Sequence, residues 1–445
     1  MYIIDKLKNK NNSDSYKAKV AKNIYWALIG KIVSMITSLI TGILIARYLG
    51  PEQYGLMNYV INFVCLFEIL STFGLDNIEI REEAKYSEKK NIIIGTAFLL
   101  RLSLSIISIC CIITIAILFE SNTDTMILIS AYSLSVVFTS FNVIRNYFTS
   151  IVKNEYVEKT AITRNLISII IKFFLVFFHA PLLAFVLSFV FDAMITAQGY
   201  LLSYKYKVGH IKDWKFDRTI AFYLVKQAFP LMLSGAAATF FLRIDQLMIG
   251  NMIDKTAVGY FSTATKFVEI LLFFPNIIIQ TVSPILVRIK STNFTEYRQK
   301  SQLFMDATFY FCFFMSILLC LISYYVIYLT FGNDYLSAVP ILQVLAFKLP
   351  FVALNVVSGQ IMIIDHKQKY FVLRSIAGCI FCVLGNYLLI PEYGVLAVAF
   401  VTIITQIVAG FLVHAFIPSY RYVFKMQINT MVYGWKSMLK LKQLK

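Results

Sequence analysis

The sequence has little charge, little proline and very little histidine or tryptophan. Of its 445 residues, 15% are charged, 9 are proline, 4 are histidine and 3 are tryptophan. Soluble domains carry about 25% charged residues. Polar stretches long enough to form the surface of a large soluble domain are missing between residue 23 and the C-terminal region. The scarcity of charge therefore excludes a large soluble domain.

Acidic residues and paired cysteines are also scarce. The chain has 24 Asp and Glu against 41 Lys and Arg, a net charge of +17. These charges follow the ends of apolar segments and form no continuous basic surface, so we expect no nucleic-acid partner. The cysteines are odd in number and lie inside apolar runs, which predicts free thiols and neither a disulfide framework nor a metal or redox cofactor. They are Cys65, Cys110, Cys111, Cys312, Cys320, Cys379 and Cys382.

Apolar residues dominate the rest of the chain. They make up 59% of it, and the mean hydropathy is +0.72. Runs of about 20 apolar residues, enough to cross the hydrocarbon layer, recur from Asn23 almost to the C-terminus. The first run is too long for a signal peptide and lacks a cleavage site, so we expect it to be retained. The pattern predicts an all-α polytopic membrane protein with twelve transmembrane helices.

The distribution of cations predicts the orientation of these helices. Thirty lysines and arginines fall in the two terminal segments and in alternate connections, and one, Lys255, falls on the opposite side. Because cytoplasmic loops collect Lys and Arg, both termini are predicted to be cytoplasmic in a multi-pass cell membrane protein. The opposite connections are short and leave no room for an external active site. We therefore predict that the chain is not an enzyme.

The longest basic internal connection divides the twelve helices into two lobes of six. Tyr54-Gly55, after one short outer turn, is echoed by Val258-Gly259 after another, which favours an internal duplication. The predicted parts are a basic cytoplasmic head at 1–22, an N-lobe at 23–203, a cytoplasmic linker at 204–222, a C-lobe at 223–416 and a basic cytoplasmic tail at 417–445.

Three stretches of the N-terminal part carry a family resemblance. They are Lys22-Asn-Ile-Tyr-Trp-Ala-Leu, Ile45-Ala-Arg-Tyr-Leu-Gly-Pro-Glu-Gln-Tyr-Gly-Leu and Phe73-Gly-Leu-Asp-Asn. This pattern resembles Wzx-type polysaccharide or O-antigen repeat-unit flippases of the multidrug/oligosaccharidyl-lipid/polysaccharide (MOP) exporter superfamily. The resemblance implies two six-helix bundles around a central cavity. It also implies alternating-access movement of undecaprenyl-pyrophosphate-linked oligosaccharides, such as O-antigen or capsule units, to the outer leaflet of the inner membrane.

Ten cations remain within or at the ends of the predicted helices, where lipid exposure would cost about 2.5–3.5 kcal/mol each. A pyrophosphate substrate needs such cations in a cavity. The better candidates for substrate binding lie deeper, and the others lie near cytoplasmic ends, where they can snorkel. The first group is Arg47, Arg243, Lys172, Lys266 and Lys348; the second is Arg101, Arg145, Arg164 and Arg374, with Lys31 beside them.

Fewer acids share these helices. Four could carry protons or bind Na⁺ as a coupling ion, or form static ion pairs: Glu68, Asp192, Asp245 and Glu269. No other cofactor is expected. Internal prolines kink helices, so hinges or fixed bends are predicted at Pro275, Pro284, Pro340 and Pro350.

Three other functions remain open. The chain could be a MATE-type multidrug/cation antiporter, although the segment between Asn23 and Gly50 lacks the acids that attract cations. It could be a flippase for the peptidoglycan lipid precursor. A polytopic glycosyltransferase or polymerase would need larger loops. Besides the lipid-linked oligosaccharide, expected partners are membrane lipids and a polysaccharide polymerase or assembly protein.

Overall fold

A computed structural model describes the backbone of residues 2–365, 367 and 370–440. Side chains at 1–22, 24, 280, 281, 370–372 and 437–440 lie outside the description, as do residues 1, 366, 368, 369 and 441–445. The side chains of the predicted basic head and the end of the predicted tail therefore lie outside it. The described backbone consists of helices and turns without a strand, which confirms the all-α prediction.

Seventeen α-helices follow one another along the described chain. They are α1 (Tyr2–Thr72), α2 (Leu75–Lys85), α3 (Lys90–Phe119), α4 (Thr123–Ser133), α5 (Ser135–Phe138), α6 (Asn142–Ser150), α7 (Asn154–Phe177), α8 (Leu182–Lys207), α9 (Arg218–Met252), α10 (Lys255–Leu271), α11 (Phe273–Thr292), α12 (Phe294–Thr330), α13 (Ala338–Ala346), α14 (Lys348–Ile364), α15 (Tyr370–Ile407), α16 (Val413–Phe416) and α17 (Arg421–Lys440). A π-helical turn, Val408–Leu412, joins α15 to α16.

Ten helical segments within the described residues are long and apolar enough to cross a membrane. Two of them, Tyr25–Lys85 and Leu373–Phe416, have 61 and 44 residues, whereas about 20 residues suffice for one crossing. Each contains a glycine with a positive φ, Gly50 at 71° and Gly394 at 60°. Glycine tolerates this conformation and interrupts the helix there. The predicted number of twelve crossings stays a prediction.

The chain forms two compact units. The first contains residues 1–48 and 63–236, and the second contains residues 49–62 and 237–445. Both α1 and α9 therefore contribute to each unit. The predicted linker, 204–222, lies inside the first unit, where the backbone N–H of Lys215 donates to the carbonyl of Asn91 at 3.1 Å. The predicted lobe boundaries stay a prediction about the transmembrane helices.

Each unit has its own apolar core. In the first, Leu75, Ile94, Ile144 and Phe148 are buried where α2, α3 and α6 pack together. In the second, buried residues of α12, α14 and α17 meet, among them Met305, Val357 and Val423. These cores fix the helices that carry the polar side chains described below.

Part of the predicted basic tail is an ordered element of the second unit. Helix α17 buries Gln427 and Thr430, and the Thr430 hydroxyl donates to Asp306 Oδ1 of α12 at 2.6 Å. Before that turn, the Tyr422 hydroxyl donates to Asp365. Burial, together with this hydrogen bond, raises the pKa of Tyr422, so the phenol keeps its proton. The tail is therefore packed on the protein over at least this part of its length.

Candidate functional site: a polar cavity in the first unit and buried charges in both

A polar cavity of about 310 Å³ lies inside the first unit. Helices α1, α4, α5, α7 and α8 supply its walls, and most of the lining side chains carry a hydroxyl, amide or charge. The polar lining residues are Ser34, Thr37, Ser38, Thr41, Glu68, Tyr132, Ser135, Thr139, Arg164, Asn165, Ser168, Lys172 and Asp192. Four of the residues predicted from the sequence, two cations and two acids, are thus brought together here.

Lys172 and Asp192 form a buried ion pair at this cavity. Lys172 Nζ lies 2.6 Å from Asp192 Oδ2, and the two residues are 2% and 7% exposed. Ser168 joins them, because its hydroxyl accepts from Lys172 Nζ at 2.6 Å and donates to Asp192 Oδ2 at 2.8 Å. The ammonium also lies 3.9 Å from the centre of the Phe189 ring. This cation is therefore balanced within the protein.

Arg164 and Glu68 line the same cavity on α7 and α1. Arg164 Nη2 donates to Asn165 Oδ1 at 2.6 Å, and Asn165 Nδ2 donates to Ser34 Oγ at 2.9 Å. Among the residues that line the cavity, two buried atoms have no hydrogen-bond partner within the described residues, Arg164 Nε and Asp192 Oδ1. Both are enclosed by protein atoms, so the cavity is lined by other atoms of these side chains.

A second charged cluster of the first unit lies outside the cavity lining. Arg101 is 0% exposed and donates through Nε to Glu79 and through Nη2 to Asp76, each at 2.7 Å. Asn146 bridges the same two carboxylates, and Arg145 Nη2 lies 3.1 Å from Asp76 Oδ2. The predicted snorkelling of Arg101 is wrong, because α2 supplies two acids that hold it inside the protein.

In the second unit, Asp245 on α9 is buried and accepts three hydrogen bonds from α15. The donors are Cys382 Sγ at 2.9 Å, Asn386 Nδ2 at 2.7 Å and Thr402 Oγ1 at 2.9 Å. Lys348 lines the same small cavity, which has about 20 Å³ of free volume. The structure thus places the predicted cation Lys348 on α14 next to the predicted acid Asp245 on α9, although these helices are distant in sequence.

Arg243 and Lys266 also have partners within the second unit. Arg243 Nη1 donates to Asn62 Oδ1 at 3.2 Å, and Asn62 Nδ2 donates to Gln246 at 2.7 Å. Lys266 Nζ donates to the Tyr54 hydroxyl at 3.1 Å. Among the ion pairs of the described residues, none joins Lys266 to Glu269, three residues away.

The remaining predicted residues are Arg47, Glu269 and Arg374. Arg47 and Glu269 are exposed. Arg374 is 6% exposed and donates through Nε to the carbonyl of Ala409 at 3.1 Å, so the predicted snorkelling is wrong for Arg374 as well. As substrate-binding residues, Arg47 and Arg374 stay predictions.

Two of the four predicted hinge prolines coincide with helix breaks. Pro275 lies in the first turn of α11, just after the break at Leu272, and Pro350 lies in the first turn of α14, just after Phe347. A proline in the first turn costs no intrahelical hydrogen bond. Pro340 is in the first turn of α13, and Pro284 lies within α11. Their role as hinges stays a prediction.

Reasoning from the sequence missed the hydroxyl groups of the cavity and the acids of α2. Serine and threonine are common in transmembrane helices, where a hydroxyl can bond to the backbone of its own helix. A single serine or threonine therefore does not indicate a cavity; only several of them on facing sides of neighbouring helices do.

Within the described residues, no group of three or more His, Cys, Asp or Glu is arranged to hold a metal ion.

Known structures share this fold. The lipid II flippase MurJ in an inward closed conformation gives a TM-score of 0.71 at 17% identity, covering 94% of this chain and 93% of that chain. An inward-facing multidrug resistance MATE family transporter of the MOP superfamily gives a TM-score of 0.69 at 13% identity, covering 91% and 99%. The chain therefore shares the polytopic helical fold of the lipid II flippase MurJ and of this MATE transporter, as the resemblance predicted.

The sequence comparisons define the family. The family described as polysaccharide biosynthesis protein matches residues 20–290. Capsular polysaccharide biosynthesis protein CapF of Staphylococcus aureus is 26% identical over 425 residues, which cover 91% of this chain and 99% of that protein. The chain belongs to the polysaccharide biosynthesis protein family.

Proposed function

We propose that the chain is an alternating-access flippase for undecaprenyl-pyrophosphate-linked oligosaccharide repeat units. It moves them from the cytoplasmic to the outer leaflet of the inner membrane and catalyses no covalent step. The observation that carries the proposal is the family match over residues 20–290, supported by the nearly full-length likeness to a capsular polysaccharide biosynthesis protein. A polymerase or another assembly protein would then receive the unit on the outer side.

The charges inside the helices support an anionic cargo. A diphosphate must leave its hydration shell to cross the apolar layer, and arginine or lysine can replace that shell with charge-assisted hydrogen bonds. Arg243, bonded to a neutral amide, keeps its full charge for such a ligand. The Arg47 side chain is exposed, so its guanidinium can contact a ligand without first moving out of the protein interior. We therefore retain Arg47 and Arg243, each within its own unit, as candidate cations for the diphosphate.

A cation antiporter is less well supported by the cavity of the first unit. An extruder of cationic drugs needs carboxylates that the protein does not neutralise itself. Asp192 is instead bonded to Lys172 at 2.6 Å, and the charge of Glu68 on the same walls is matched by that of Arg164. The likeness to the MATE transporter is a likeness of fold and does not decide the cargo.

Coupling to an ion gradient is assigned to Asp245. Its carboxylate is buried among three donors, and two nearby oxygens, Asn386 Oδ1 and Thr405 Oγ1, have no hydrogen-bond partner within the described residues. Oxygen ligands of this kind suit a proton or Na⁺. Two of the other predicted coupling acids are less suitable, because Asp192 is already paired with Lys172 and Glu269 is exposed.

The proposed function is tested by glycan export in the cell that makes the chain. Deleting its gene should stop surface polysaccharide and leave the lipid-linked unit in the inner leaflet, and the wild-type gene should restore export. Arg47→Ala and Arg243→Ala should each lower export about tenfold or more, because a charge-assisted contact to the cargo is lost. Lys425→Ala, which removes an exposed cation of α17, is the matched control and should export normally.

Membrane levels of each variant are measured by quantitative blotting, so that loss of protein is not mistaken for loss of transport. Export at the wild-type level by both arginine variants would contradict the assignment of these two cations to the diphosphate. Unchanged surface polysaccharide after deletion of the gene would contradict the flippase function itself.

A further inference from the structure

The cavity of the first unit has the size of a small-molecule site. Its volume of about 310 Å³ is at the lower end of the range for ligand pockets, about 300–1,000 Å³. This suits a single sugar ring rather than a complete oligosaccharide. All of its walls belong to the first unit, so one compact body shapes it.

The charges of the cavity walls balance. Two cations, Arg164 and Lys172, face two acids, Glu68 and Asp192. A diphosphate would find no excess of positive charge here, and a cation would find no excess of negative charge. The balance favours a ligand that is polar and uncharged.

Several hydroxyl groups of the walls donate their own protons to carbonyl groups of the same helices. Thr37 Oγ1 donates to the carbonyl of Val33 at 2.8 Å, and Thr41 Oγ1 donates to that of Thr37 at 2.8 Å. Thr139 Oγ1 donates to the carbonyl of Val136 at 2.7 Å. Because a hydroxyl has one proton and two lone pairs, these residues present mainly acceptors to the cavity. A matching ligand must bring several donors.

We propose that this cavity is a subsite for one uncharged sugar ring of the lipid-linked cargo, held by the polar walls and above all by the acceptor hydroxyls of α1. A sugar ring carries several hydroxyl donors, as these acceptors require. The proposal rests on the proposed flippase function and adds to it a place and a chemistry for the glycan. The diphosphate is bound elsewhere, by cations outside this cavity.

Filling the cavity tests the proposal. Ala193→Leu and Ser135→Leu place extra carbon atoms in the cavity from two different helices, whereas Ser103→Leu adds the same group to an exposed position of α3 in the same unit. Each full-length variant is placed in nanodiscs, and N-acetylglucosamine is the probe in saturation-transfer NMR. The wild type and Ser103→Leu should saturate the sugar protons. Either cavity-filling variant should lower the signal about tenfold or more, because several hydrogen bonds are lost together.

Flipping of a lipid-linked oligosaccharide by the same preparations separates this proposal from the proposed function. Flipping by the wild type, with loss of sugar binding and of flipping in both filled variants, supports the subsite. Wild-type flipping and sugar binding in the filled variants overturn the subsite and leave the flippase function standing. If the wild type flips nothing, the proposed function fails and the subsite with it. If the filled variants lose a Na⁺ dependence of flipping and not sugar binding, the cavity is a cation site and the proposal is wrong.

Discussion

Arg101 is a cation whose charge is balanced by the protein and not by a substrate. It is fully buried between Glu79 and Asp76, and Asn146 bonds to both carboxylates. Removing Arg101 would leave the fully buried carboxylate of Glu79 without its cation. The cluster is therefore expected to hold α2, α3 and α6 together and to contribute little to cargo binding.

Arg101→Ala should lower the free energy of unfolding by about 3–5 kcal/mol. Lys159→Ala is the control, because Lys159 pairs with Glu155 at 2.7 Å on the surface with its side chain 52% exposed, and surface pairs contribute about 0–1 kcal/mol. Thermal unfolding of both variants in the same detergent measures the difference. Equal losses of stability in the two variants would mean that the Arg101 cluster is not a buried structural pair.

Asp245 and Glu269 allow a direct test of ion coupling. Asp245→Asn keeps the size of the side chain and removes its charge, so flipping should lose its dependence on a proton or Na⁺ gradient. Glu269→Gln makes the same chemical change at an exposed position and should leave the dependence intact. Transport is measured in vesicles with imposed gradients of each ion. A gradient dependence that survives in Asp245→Asn would assign coupling to another group.

The sequence identified several site residues singly but not their pairing. Lys172 and Asp192 were both predicted, yet their contact joins α7 to α8 and cannot be inferred from spacing along one helix. Asp76 and Glu79 were missed because they follow the apparent end of an apolar run, where acids usually face water. Only packing shows that Arg101 pairs with both and that Glu79 is fully buried.

At the scale of helices, two glycines form a close contact in the second unit. A Cβ on Gly55 would lie 2.7 Å from the backbone nitrogen of Gly259, and a Cβ on Gly259 would lie 3.0 Å from the carbonyl carbon of Pro51. Two helix starts that echo each other in the sequence, Tyr54-Gly55 and Val258-Gly259, thus pack backbone to backbone. The contact explains why residues 49–62 group with the second unit.

Gly55→Ala and Gly259→Ala should each destabilise the protein by about 1–3 kcal/mol, because the added methyl group forces the two backbones apart. The double variant should lose less than the sum of the single losses, since one separation relieves both clashes. Gly50→Ala is the control: nothing lies within 4 Å of the new Cβ, and only its φ of 71° costs energy, about 1–2 kcal/mol. Unfolding measurements that give strictly additive losses for Gly55 and Gly259 would contradict the shared contact.

Helices were easier to predict than their interruptions. Apolar runs of the required length gave the transmembrane segments, because the bilayer imposes one length on all of them. The breaks at Leu272 and Phe347 depend on packing of neighbouring helices and have no separate sequence signal except the prolines that follow. Helix α17 was missed because its mixed polar and apolar residues resemble a basic tail.

At the scale of the whole molecule, the distribution of cations predicts one topology. Thirty lysines and arginines fall on the side assigned to the cytoplasm and one on the other side. Adding or removing a single crossing would reverse every later connection and destroy this asymmetry. The charges thus constrain the number of crossings as well as their direction.

Fusions of green fluorescent protein and alkaline phosphatase should report this topology. Fluorescent fusions after Lys207 and after Lys445 should fold in the cytoplasm and emit light, and a phosphatase fusion after Glu120 should be active outside. A fluorescent fusion after Glu120 is the internal control and should remain dark. Phosphatase activity at Lys445 would place the C-terminus outside and require an odd number of crossings or an external N-terminus.

The class of protein followed from composition because a chain with this apolar content can fold only in lipid, where helices satisfy their own backbone hydrogen bonds. The resemblance in the first two predicted helices then gave the family, which the match over residues 20–290 confirms. The cargo was harder to predict from the sequence. It depends on which buried charges pair with one another, and these pairs form between side chains of different helices.

Flipping in vesicles that contain only the purified chain tests the proposed function most directly. An undecaprenyl-pyrophosphate-linked oligosaccharide is placed in the membrane, and its glycan on each side is measured with an impermeant lectin. The glycan should reach the opposite leaflet in vesicles with the chain and not in protein-free vesicles, and cationic dyes should not be moved. Equal glycan distribution with and without the chain, or transport of the dyes in place of the glycan, would contradict the function proposed here.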